Sequence, residues 1–118
     1  MDISQEFATA LQNKFAAERE LAILRGEKNA EFASRYEFTV EHGQKFDRIV
    51  QQRQGDAYGR SVHAFVEQST GKLIKAAGWK APQKDKSGLA YRYDLSTPEG
   101  FKQAVNAADW AGGYLYKK

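Results

Sequence analysis

No cysteine occurs anywhere in the 118 residues. That removes disulfides, thiolate metal sites and nucleophilic Cys chemistry together, and it fits a reducing compartment. No apolar stretch approaches the ~20 residues a membrane helix requires. The opening residues, Met1 to Glu6, carry no basic segment followed by an apolar run, so no secretory signal is expected. A cytoplasmic protein without membrane contact is the expectation. Histidine is scarce as well: only His42 and His63 are present. A metal site needs several converging ligands, and none assemble around either ring. In an extended strand His63 and Glu67 share a face but stand about 13 Å apart, too far to touch. The carboxylate pairs Glu18/Glu20 and Glu37/Glu41 sit in solvated amphipathic elements, whereas acid–base work needs two environments facing one cavity. Ser61, Ser69 and Ser96 have turn and cap roles, and the glycines lack the spacing of a phosphate-cradling loop. We therefore expect no catalytic residue, no metal and no cofactor.

What is present reads as one domain, long enough to bury a core without staples. A helical segment covers residues 1–35 and a sheet module residues 36–118. Ile3, Phe7, Leu11 and Phe15 recur at spacing four and are followed by Leu21 and Leu24, forming an amphipathic stripe. Gly26 and Asn29 predict its end, with a short turn through Ala30, Glu31 and Phe32 beyond. The drift of the stripe suggests that part of the helix packs on a second copy of the protein. Strand-like runs follow at Tyr36–Glu41, Lys45–Arg53, Ser61–Gln68 and Lys72–Trp79. They are separated by turns at 42–44, 55–59 and 69–71, the last with Gly71 in the left-handed position. Short sequential connections favour an antiparallel meander. Tyr91–Leu95 adds an edge strand, and Ser96-Thr97-Pro98-Glu99 starts a helix with a capping-box pattern. Tyr114-Leu115-Tyr116 has the composition of a closing strand. The fold class is α+β: a four- to five-stranded antiparallel sheet with a long N-terminal and a C-terminal helix.

The third turn offers a register. With Gln68 opposite Lys72, Val66 faces Ile74 and Ala64 faces Ala76, giving an apolar face of Val62, Ala64 and Val66. His63, Phe65 and Glu67 then share a mixed face with Lys75 and Trp79. The two helices cover either one face each or one face together.

Charge is unevenly spread. Residues 1–35 carry a net −1, but residues 71–93 hold six basic side chains against Asp85 alone. Lys75, Trp79, Lys80, Lys84, Lys86 and Arg92 combine charge with stacking surface. Lysines that follow phosphates beside rings that stack bases are what holds single-stranded nucleic acid. The plainer reading of the lysines is a solvated edge that blocks strand pairing. For Trp79 the plainer reading, which we favour at this point, is a core plug closing one end of the sheet. The functional expectation is a non-enzymatic module contacting nucleic acid or another polyanion through this basic-aromatic edge. Two alternatives remain: a protein-interaction module working through the N-terminal helix, with a homo-oligomer as one form, and an enzyme on a nucleotide-like ligand.

Four segments carry a resemblance: Lys45–Val50, Ser61–Val66, Lys75–Pro82 (Lys-Ala-Ala-Gly-Trp-Lys-Ala-Pro) and Ala108–Tyr116. Together they make the chain from about Phe38 onward similar to a group of small tailed-bacteriophage proteins of uncharacterised function. The resemblance implies a gene product acting in the cytoplasm of an infected bacterium, with a host or phage protein as a partner besides nucleic acid. It brings no assigned activity, and the helical segment before Arg35 looks like an addition to the module.

Overall fold

A computed structural model of the chain describes residues 2–28, 36–53, 59–109 and 112–116. The expected turn at 30–32, most of the glycine turn at 55–59, Trp110-Ala111 and the Lys117-Lys118 end lie outside the described residues. Helix α1 spans Ile3–Leu24, and the Asp2 side chain caps it by accepting from the Gln5 N–H at 2.7 Å. It ends in a Schellman turn: Gly26 (φ +71°) donates to Ile23, and Glu27 donates to Ala22. Strands β1 (Tyr36–His42), β2 (Phe46–Arg53), β3 (Arg60–Glu67) and β4 (Lys72–Ile74) follow. The small hairpin β5 (Lys84–Asp85) and β6 (Gly88–Leu89) precedes β7 (Tyr91–Asp94), helix α2 (Pro98–Ala107) and a 3-10 turn at Gly113–Leu115.

The main sheet has the order β1-β2-β3-β4-β7, antiparallel throughout, with β5–β6 as an excursion between its last two strands. The expected α+β class and antiparallel sheet are therefore observed. No helix among the described residues is long and apolar enough to cross a membrane.

Register departs from expectation in two places. Val66 pairs with Leu73 and Phe65 with Ile74, one residue off the sequence reading. The loop holds four residues rather than three, because Gly71 (φ +74°) closes it by donating to the Glu67 carbonyl at 2.8 Å. A one-residue slip exchanges faces, so Leu73 joins the helix-side core and Ile74 the opposite cluster. The second departure is a bulge in β3. Ile49 pairs with Ala64 and Val50 with Val62, leaving His63 as the extra residue. His63 consequently lies on the helix side beside Ala64, while Val62 turns to the other face with Phe65.

Both helices share one face. Phe7, Ala8 and Leu11 of α1 and Ala104 of α2 pack with Phe38, Ile49, Ala64, Val66 and Leu73 of the sheet, all buried. Phe7 meets Phe101 edge to face at 5.9 Å. The Lys14 ammonium donates to three carbonyls at the end of α2, those of Val105 (2.7 Å), Asn106 (3.0 Å) and Ala108 (2.8 Å). A cation there satisfies acceptors the helix leaves orphaned and complements its dipole. Gln12 accepts from the Phe38 N–H on edge strand β1 at 3.2 Å. At its other end α2 is capped by Thr97 rather than Ser96, so the third helical residue is Gly100, not Glu99. A capping box is thereby ruled out. Glycine is required at that position, since a Cβ there would stand 2.0 Å from the Asp94 carbonyl oxygen.

The expected closing strand at 114–116 is also replaced. Asp109 accepts from the backbone N–H groups of Gly113 (2.9 Å) and Tyr114 (3.0 Å), winding this segment into the 3-10 turn. The turn places Leu115 in the core and the Tyr114 hydroxyl 2.7 Å from His63 Nε2.

Candidate nucleic-acid interface

Among the described residues, the face away from the helices is covered only in part, by the chain between β4 and β7. Phe65, Ile74 and Ala90 are buried there, with Phe46, Val62, Ala76 and Leu89 packed against them. Strand β4 stops at Ile74, short of the expected Trp79. Residues 75–83 instead double back: Gln83 donates to the Lys75 carbonyl at 2.8 Å, Ala76 bridges Pro82, and Ala77 donates to Ala81 at 3.1 Å. Gly78, Trp79 and Lys80 form the tip of this small hairpin. That geometry overturns the core-plug reading of Trp79, whose residue surface is 38 % exposed.

Across the same face Glu41, Arg48, Phe65 and Ile74 stand opposite one another on β1 to β4, forming one row. Arg48 donates through Nε to the Trp79 carbonyl at 2.8 Å and through a terminal nitrogen to Glu41 at 2.9 Å. Arg60, at the start of β3, reaches the other Glu41 oxygen at 2.5 Å. Both guanidinium carbons lie over the Trp79 ring, 4.7 Å (Arg48) and 5.2 Å (Arg60) from its centroid, within cation–π range. The Arg60 hydrogen bond, then that of Arg48, holds the Glu41 carboxyl below its ordinary range. Beside this group opens a cleft of about 340 Å³, lined by Glu41, Arg48, Phe46 and Phe65 together with Lys45 and Lys80. Its size is at the lower end of small-ligand sites.

The six residues expected at the binding edge do not all meet here. Trp79 and Lys80 do. Lys75 is half-buried, donating to Gln83 at 2.8 Å, with its ammonium 4.4 Å from the Tyr116 ring centroid. Lys84 and Lys86 belong to the β5–β6 hairpin and line a separate shallow surface. Arg92 works within the fold: it donates to the Leu115 carbonyl at 2.6 Å, and its guanidinium stands 3.5 Å from Asp85. Arg48 and Arg60 are the residues that sequence reasoning missed. The signal was there in the Gly43 turn, which sets Glu41 opposite Arg48, but a linear charge count passes over it.

The two histidines sit in contrasting settings. His63 is buried; its Nδ1–H donates to Gln51 at 2.9 Å, and Nε2 accepts from the Tyr114 hydroxyl. Burial lowers its pKa to about 4 against the opposing charge of Asp109, and burial likewise raises that of Tyr114. A neutral imidazole locked between two partners is a structural element. His42 is exposed and bonds Asp47 at 2.8 Å, which raises its pKa. Asp47 also accepts from Ser4 at 2.6 Å and Gln68 at 2.8 Å. Burial pushes the Asp47 carboxyl up, but these bonds with His42 outweigh it and leave it lowered. Ser4 bonds the Asp47 carboxylate rather than the imidazole, and the lowered pKa of that carboxylate makes it a weak base toward the hydroxyl.

No curated protein and no solved structure matches this chain. A family of unknown function, DUF7717, matches residues 2–117, a span that takes in α1, the whole sheet and α2. The chain belongs to that family.

Proposed function

We propose that this protein is a non-enzymatic module that binds single-stranded nucleic acid through the helix-free face of its sheet. The observation that carries the reading is Trp79, exposed at a hairpin tip, with Arg48 and Arg60 over its ring and Lys80 beside it. Rings stack bases without regard to sequence, and cations follow the phosphates. Lys84 and Lys86, on the next hairpin, line a separate basic surface. The resemblance to tailed-bacteriophage proteins supplies the setting we propose, the cytoplasm of an infected bacterium. Fluorescence anisotropy with a short labelled oligothymidylate tests the function. Binding should fall steeply with salt, and Trp79→Ala should weaken it by about 2 kcal/mol. Absence of binding at low salt overturns the reading.

A second reading rests on α1. Its buried residues, Ser4, Phe7, Ala8 and Leu11, all lie in the first half, whereas Leu21 is 48 % and Leu24 78 % exposed. On this reading the second half of the helix docks on a protein, a second copy included. Leu21→Glu with Leu24→Glu leaves the sheet core untouched and would abolish self-association measured by sedimentation.

A further inference from the structure

We propose that Arg48 and Arg60 form a phosphate-binding fork and that Glu41 is its built-in competitor, a carboxylate standing where a nucleic-acid phosphate binds. This deepens the proposed function and rests on it for the identity of the anion. Glu41 presents one oxygen to each guanidinium, at 2.9 and 2.5 Å. Carboxylate and phosphate offer oxygens that the planar guanidinium binds in the same forked way. Glu41 and Arg60 are open to exchange, their side chains 39 % and 42 % exposed, while Arg48, at 24 %, is held in place by its Nε bond to the Trp79 carbonyl. Ion pairs so placed add little to folding, so the arrangement is cheap to break. Lys80 lines the same cleft as Glu41 and Arg48 and brings a further cation to an anion seated there. Trp79 lies against both arginines, so a phosphate held by the fork is adjacent to the exposed ring on which a base stacks. An internal carboxylate lowers affinity for every phosphate alike. The ratio between ligands is unchanged, but the concentration each needs is raised. At low concentration the site therefore fills only with ligands that also supply a base to Trp79.

Glu41→Gln keeps the shape and one hydrogen-bond acceptor but removes the competing charge. Two titrations on the full chain test the assignment. In the first, the oligothymidylate should bind Glu41→Gln about fivefold more tightly than the wild type. Its salt dependence should also be steeper, by about one phosphate contact. In the second, inorganic pyrophosphate is followed by NMR at the indole N–H of Trp79. The chain has two tryptophans, and Trp79→Phe identifies the signal. Pyrophosphate should shift that signal at lower concentration in Glu41→Gln, and Arg48→Gln with Arg60→Gln should remove the response. Lys84→Ala should leave it in place. An unchanged or weaker Glu41→Gln in both titrations overturns the fork while leaving oligonucleotide binding standing. A pyrophosphate response strengthened by Glu41→Gln without oligonucleotide binding supports the fork and overturns the nucleic-acid reading alone.

Discussion

Beneath the helices, His63 is enclosed with both ring nitrogens bonded, and Lys14 is spent on three carbonyls. On the opposite face Arg48 and Arg60 each bond Glu41 around a ring that water also reaches. Strands β2 and β3 supply residues to both sides, Gln51 and His63 to one and Arg48 and Arg60 to the other. Under the helices a His63 that lost a partner would leave a ring nitrogen stranded away from water. A lost Lys14 would leave half-buried carbonyls at the end of α2 without their donor, so both contribute to stability. On the open face a lost partner is replaced by water, so the groups contribute little to folding and remain available to a ligand. Stability and binding are thus divided between the two sides of one sheet.

Substitutions should separate the sides by size of effect. Phe7→Ala empties a fully buried site against Phe101 and should cost about 4 kcal/mol in urea unfolding. Next comes acid sensitivity. Folded His63 titrates near 4 against an ordinary value of 6.5, so between those values the unfolded chain takes a proton that the folded chain refuses. Stability is then complete above pH 6.5 and falls by about 3 kcal/mol as pH drops to 4. His63→Gln should flatten this slope; a slope that persists would mean other groups carry it. His42 works in the opposite sense: its raised pKa gives stability that is present at low pH and lost as pH rises through the folded value. Lys14→Met, which keeps the stem and removes the cap, should cost about 2 kcal/mol. Trp79→Ala should cost less than about 1 kcal/mol, although the same change should weaken oligonucleotide binding by more. A Trp79→Ala protein that melts like Phe7→Ala would erase the distinction between the faces.

Much of this architecture was legible. The spacing of Ile3, Phe7 and Leu11, the glycine stop at 26 and the Thr97-Pro98 start set the helices, because these signals are local. The sheet order followed from short connections. What escaped depended on contacts between distant residues. One extra loop residue before Lys72 and one bulged residue at His63 each reversed a face, and neither leaves a mark in alternation alone. The composition of Tyr114-Leu115-Tyr116 suits a strand, yet Asp109 turns it into a 3-10 turn. At the candidate site, Trp79 and Lys80 were visible as neighbours in sequence. Arg48 and Arg60 were not, since the sheet alone brings them to the same ring.

The Lys14 bond to α2 joins residues more than 90 positions apart. Contacts of that separation close late, because the loop between them must be ordered first. As the chain leaves the ribosome, the side of α1 that meets α2, where Phe7 lies against Phe101, must therefore wait uncovered until α2 has emerged. During that interval the first helix is a natural substrate for chaperones that hold exposed apolar segments. A translation pause placed between β7 and α2 should lengthen that hold, visible as longer chaperone occupancy on stalled chains.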